Sequence, residues 1–253
     1  MSPATDQLSL RLEAERPTLP NPPRGLRPML PRPAGEPFDS VDHLFEPSWG
    51  GVRALVTIGP ADRPGSGDVL IEDAGGRDVS AAIPELAGLA VRVDARSAIL
   101  DGELVVVDAE GRADAAALAT RLEGGSGRPV AFLAFDLLHL DGRSLLGVAL
   151  ERRRRLLRRV LRPGDEVVAV PAIAGEGRAL FDAAVSQGIA GIMARQRSSP
   201  YLPGIRSRLW RFVAASESPT AAAIPADEHA ALLPSSGRVL ALISRLPLGL
   251  EED

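Results

Sequence analysis

Arginine supplies all 29 cationic side chains of this 253-residue chain, which has no lysine and no cysteine. A guanidinium can grip phosphate or carboxylate through two parallel hydrogen bonds, but it stays protonated and does not act as a nucleophile. Covalent catalysis by a lysine amine is therefore excluded, as are thiol chemistry, disulfides and cysteine-based zinc sites. The three histidines, His43, His139 and His229, lie far apart in the sequence, and no structural metal is expected. The run ERRRRLLRRVLR places Arg152, Arg155 and Arg159 at near-helical spacing, with Leu156, Leu157, Val160 and Leu161 on the inward side. Such a face could meet a phosphate backbone, although a solvated helix face is the favoured reading. A net charge of -4 and a pI near 5.5 provide no strong basic field, so composition neither requires nor forbids a nucleic-acid partner.

The elements that must carry these side chains mix short apolar strands with amphipathic helices. Strands are predicted at 52–58 (VRALVTI), 68–73 (DVLIED), 97–100 (SAIL), 103–108 (ELVVVD) and 129–138 (PVAFLAFDLL). Helices are predicted from Ala82 to Leu89, over 113–122, 150–161 and 176–187, the last closed by Gly188. This order implies α+β rather than strict βαβ alternation. Residues 1–25 read as a flexible, proline-rich leader, residues 26–214 as one domain, and residues 215–253 as a short tail too small for a second complete domain. No apolar run is long enough to span a membrane and no signal-peptide core is present, so a soluble, cytoplasmic protein is expected, without a membrane partner.

LFEPSWGGVRAL at 44–55 resembles the first motif of the covalent nucleotidyltransferases, with Glu46, Gly51 and Arg53 matching. The resemblance continues in order through RPML (27–30), PFDSVDHLFEP (37–47), GGRDVS (75–80), PEL (84–86), ILDGELVVVD (99–108), AFDLLHLDGRSLL (134–146) and SPYLPGIRSRLW (199–210). On these blocks the chain is similar to the adenylation domain of bacterial end-joining-type ATP-dependent DNA ligases. The resemblance implies the covalent-nucleotidyltransferase fold, an α+β fold of antiparallel sheets and flanking helices. It also implies a reaction in which a lysine takes AMP from ATP and passes it to the 5′-phosphate of a nick.

Several positions depart from that pattern. The family's nucleophilic lysine falls on Ser48 and its aspartate on Gly50; its metal-binding glutamate falls on Ala190 and the lysine of the same motif on Arg195. The two lysines of the final motif fall on Phe212 and Ala214. A serine hydroxyl is almost wholly protonated at neutral pH, and no histidine lies near Ser48 in sequence to act as base. No residue is therefore assigned as catalytic, and the loss of the glutamate argues against magnesium.

What remains could bind. By resemblance, Glu46 would accept from the adenine amino group, Phe135 would stack on adenine, and Glu103 would sit at the ribose or metal edge. Arg53, Arg77 and Arg206 would face the nucleotide or its phosphates. The bland alternatives are an exposed turn acid for Glu103 and a core residue for Phe135, while Asp101, Gly102 and Asp136 read as turn and scaffold residues. The resulting expectation is a ligase-family pseudoenzyme of DNA repair that needs no cofactor but could hold ATP or AMP noncovalently. Its partners would be nicked or broken duplex DNA, or a catalytic ligase or repair protein. A non-catalytic interaction scaffold and a ligase restricted to pre-adenylated ends are the alternatives. The downstream oligonucleotide-binding domain that ligases use to clamp DNA is not expected in the tail.

Overall fold

The computed structural model describes residues 19–108 and 113–215. Most of the leader, residues 1–18, and the tail beyond Ala215 fall outside them. In chain order the described elements are β1 (Leu30–Pro33), β2 (Ser40–Ser48), β3 (Val52–Ile58), β4 (Val69–Asp73), β5 (Ala98–Val106), α1 (Ala115–Leu122), β6 (Val130–Leu140), β7 (Arg143–Ser144), α2 (Leu150–Val160), β8 (Val167–Ala169), β9 (Ile173–Gly175), α3 (Gly177–Ser186), β10 (Gly191–Gln196) and β11 (Arg206–Ala214).

The strands form two sheets. One has the order β1-β11-β10-β2-β9, and the other β4-β3-β5-β6-β7 with β8 beside β6. Pairing is antiparallel throughout except for β1 with β11 and β6 with β8. This is the nucleotidyltransferase fold that the motif blocks imply. A large apolar core, including Val56, Ile58, Leu100, Phe132 and Leu157, fills one side of the second sheet beneath the loops after β4 and helices α1 and α2. Phe45, Ile192, Ala194 and Val213 of the first sheet pack with Leu180 and Ala184 of α3. Because successive strand residues point to opposite faces, the alternate residues of β2, β10 and β11 are turned to the other side.

Several expected elements take a different form. The stretch from Ala82 to Leu89 is a series of 3₁₀ turns rather than a helix. Ile83, with φ -131°, and Pro84 interrupt the chain before α-helical hydrogen bonds can propagate. The separate strands predicted at 97–100 and 103–108 are one strand, β5, running through Asp101 and Gly102. Neither residue is in a turn. Gly102 is needed instead because a Cβ there would run into the Leu133 carbonyl and the Phe132 ring.

Helices α1, α2 and α3 lie where they are predicted, within a residue or two. Asp114 caps α1 by accepting from the Ala117 N–H at 2.9 Å, and Gly188 follows α3 with φ +66°. Among the described residues no helix is long and apolar enough to cross a membrane.

Candidate functional site: an arginine-filled cleft

Three cross-strand rows define the face of the first sheet opposite the α3 core. Ser48 on β2 lies beside Gly191, which lies beside Ala214 on β11. The next row is Glu46, Met193 and Phe212, and the third is Leu44, Arg195 and Trp210. On the second sheet Arg53 pairs across β3 and β5 with Glu103. The register between β5 and β6 slips between Asp101 and Gly102, so that Ala134 and Asp136 have partners and Phe135 is the extra residue. That bulge aims the Phe135 ring towards the arginines of the cleft.

The charges of the cleft are paired with one another. Glu46 is 2% exposed and receives the Arg154 Nη1 at 2.5 Å on one oxygen and the Arg195 guanidinium on the other. Arg154 comes from α2 and also donates to the carbonyls of Phe135 (2.9 Å) and Val170 (2.6 Å). One guanidinium thus joins β2 of the first sheet to β6 of the second. The Arg195 guanidinium lies 4.0 Å from the centroid of Phe135 and 4.6 Å from that of Trp210, a cation–π arrangement strengthened by exclusion of water. Burial lowers the pKa of Arg154 to about 10 and that of Arg195 to about 9, so both stay charged at neutral pH.

Arg53 makes a bidentate pair with Asp101, both contacts at 2.6 Å, and its guanidinium lies 4.5 Å from the Phe135 centroid. Burial works against its charge, but Asp101 more than offsets this and raises its pKa. Tyr201 donates its hydroxyl proton to Asp101 at 2.6 Å and accepts the Met29 N–H at 2.9 Å. Burial, then Asp101, pushes the phenol well above its usual range.

Glu103 accepts the N–H groups of Gly51 at 2.7 Å and Trp49 at 3.4 Å. It is a half-buried strand residue, not an exposed turn acid. Burial raises its carboxyl pKa against those backbone donors. The close approach also constrains Gly51, where a Cβ would meet the Leu104 carbonyl and the Val105 side chain.

Glu46, Arg53, Glu103 and Phe135 therefore converge, whereas Arg77 and Arg206 do not join them. Arg77 sits in the turn after β4, paired with Asp73 and 60% exposed, and Arg206 is exposed and donates to the Pro31 carbonyl at 2.8 Å. Ser48 has no side-chain hydrogen-bond partner among the described residues. Arg153 and Arg154 are residues that the sequence reading did not single out. Arg153 is fully buried and holds Asp136 through two contacts of 2.8 and 2.7 Å. Their signal was their position next to the apolar stripe of α2, where an arginine needs a carboxylate partner to be buried.

Residues 39–211 match the model of the ATP dependent DNA ligase domain. The chain belongs to the ATP-dependent DNA ligase family. It is 37% identical over 166 residues to the multifunctional non-homologous end joining DNA repair protein LigD of Mycobacterium tuberculosis, an alignment that covers 66% of this chain and 21% of LigD. A protein of Saccharopolyspora erythraea named "Probable DNA ligase" is 34% identical, over 82% of this chain and 39% of its own length. The ligase-family chain thus spans well under half the length of either relative. Among solved structures it is similar to the mycobacterial DNA ligase D complexed with ATP and MES, with a TM-score of 0.62 and 32% identity over 75% of this chain and 60% of that one. These relatives agree with a bacterial end-joining ligase adenylation domain.

Proposed function

We propose that this domain is a non-catalytic member of the ligase family that serves DNA repair by binding rather than by nucleotidyl transfer. The observation that carries the reading is the row Ser48, Gly191, Ala214. It lies where the family resemblance puts the nucleophile, and it contains no amine and no carboxylate. The Ser48 hydroxyl also has no acceptor beside it among the described residues to withdraw its proton. Glu46, the residue expected to read the adenine amino group, is taken up by Arg154 and Arg195. The Phe135 face expected to stack on adenine carries the Arg195 guanidinium. A purine would have to displace a buried, ion-paired arginine to reach either residue. Nicked or broken duplex DNA is the partner best supported by the family relationship, with arginines supplying phosphate contacts.

The test is direct. Incubation with radiolabelled ATP and magnesium should leave the protein unlabelled, and the Ser48→Lys variant should stay unlabelled too, because Gly50, Ala190, Phe212 and Ala214 remain. An AMP adduct on the unaltered protein, or sealing of a pre-adenylated nick, would sink the reading. A thermal-shift titration then separates binding from scaffolding. A nicked duplex held at about 100 times its dissociation constant adds roughly 2.7 kcal/mol of stability, and no shift with nicked, broken or pre-adenylated duplex leaves an interaction scaffold.

A further inference from the structure

The outer face of α2 meets the edge of the first sheet in a cleft of about 220 Å³ that borders the inter-sheet rows and shares Leu44 and Arg154 with them. Its apolar lining is small: Leu44 of β2, and Ala172 and Ala174 at and beside β9. Its polar lining is Arg154, Arg155, Arg158 and Arg197 against a single carboxylate, Glu151. That carboxylate is already engaged, since Arg197 donates to Glu151 at 2.9 and 3.1 Å. Arg155 and Arg158 have no hydrogen-bond or ion-pair partner among the described residues. Arg154, only 2% exposed, keeps its Nε–H buried without a partner.

Two guanidiniums with unspent donors, Arg155 and Arg158, beside the buried unpartnered Nε–H of Arg154, give the cleft more positive charge than its one engaged carboxylate, Glu151, offsets. The neighbours register it, because burial and then the adjacent Arg154 and Arg155 lower the pKa of Arg158. A buried polar donor left without an acceptor is costly, and a ligand with several acceptor oxygens would satisfy the unspent donors of the cleft. From this geometry we infer that the α2 cleft is a phosphate-binding site, formed by Arg154, Arg155, Arg158 and Arg197. A phosphate group matches it better than a carboxylate, because its oxygens can take paired N–H donors from more than one guanidinium at once. The inference stands whether or not the inter-sheet cleft has lost its chemistry.

Two sources carry that chemistry: a free phosphate or diphosphate anion, and a phosphate of a DNA backbone. Thermal shifts and calorimetric titrations would be run with inorganic phosphate and pyrophosphate, at constant ionic strength against chloride, and with a short nicked duplex. The Arg155→Gln/Arg158→Gln variant changes two exposed side chains, so its unfolding temperature without ligand should match the unaltered protein. Arg152→Gln/Arg159→Gln removes the same charge from α2 outside the cleft. A saturable response to phosphate or pyrophosphate, weakened about tenfold in the cleft variant and unchanged in the control, identifies a small-anion site. A response to duplex alone, whose dependence on log salt falls by about one to two in the cleft variant only, assigns the backbone as the source. Absence of any response, or equal losses in the two variants, overturns the proposal.

Discussion

Replacing Arg154 with methionine tests whether the two sheets are held by the pairing described here. The substitution keeps an unbranched side chain of similar reach but deletes the donors to Glu46, to the Phe135 carbonyl and to the Val170 carbonyl. Removing one partner of a buried ion pair costs about 3–5 kcal/mol, and each buried carbonyl left without a donor adds about 1–3 kcal/mol. Two effects reduce the sum. Arg195 still neutralises Glu46, and the desolvation that lowers the Arg154 pKa to about 10 is relieved. The net loss should be about 3–5 kcal/mol, which at a urea slope of about 2–3 kcal/mol per molar shifts the midpoint down by about 1–2.5 M. Trp49 and Trp210 are both buried at the site, so fluorescence-detected urea unfolding reports on it directly. Arg155→Met, on the exposed side of the same helix, should change stability by less than about 0.5 kcal/mol. If Arg154→Met behaves like Arg155→Met, the guanidinium is not bridging the sheets and the account of Glu46 is wrong.

Other consequences follow from the same contacts. Arg195→Ala should raise affinity for AMP in calorimetry by uncovering the Phe135 face, and an unchanged isotherm would show that the arginine does not obstruct it. Gly102→Ala should destabilise by about 1–3 kcal/mol or more in urea unfolding, because its methyl meets the Leu133 carbonyl and the Phe132 ring; a neutral effect would mean that β5 and β6 can separate without cost. Glu85 gives a pH dependence. Burial favours its neutral form, but the Val130 N–H at 2.6 Å and Arg121 at 2.9 Å win and hold its pKa below the ordinary value. Its contribution is present above the unfolded carboxylate range and is lost as pH falls through the lowered folded value. Glu85→Gln should therefore flatten part of the stability loss as pH falls below the ordinary glutamate pKa of about 4.3, and parallel profiles for the two proteins would contradict this.

The second sheet was legible as apolar runs because its strands are buried on both faces or alternate cleanly, as in VRALVTI and PVAFLAFDLL. The first sheet was not. SVDHLFEPS and GIMARQ carry the charged side chains of Glu46 and Arg195 at buried positions, and RSRLWRFVA is dominated by exposed arginines, which breaks the apolar alternation that marks a strand. Only the family motifs pointed to them. The bulge that leaves Phe135 unpaired was equally hidden, since a one-residue slip in register has no composition signal. In α2 the spacing of Arg152, Arg155 and Arg159 correctly marked an exposed face. Arg153 and Arg154 broke the rule that arginine lies outside, because Asp136 of β6 and Glu46 of β2, the latter distant in sequence, meet them in the core.

The altered positions have a common physical consequence. With Ser48 where the family resemblance puts a lysine, Glu46 is a buried acid that must be neutralised by other cations. Arg154 and Arg195 do so, and in reaching Glu46 Arg195 comes to rest on the ring of Phe135. Pairing and obstruction are therefore one arrangement. A return of lysine at position 48 alone would add a third cation to an acid already held by two, with no carboxylate at position 190 to recruit a metal. On the proposed non-catalytic reading, a purine reaches Glu46 only after the arginines release it, so a variant that admits AMP should first lose stability.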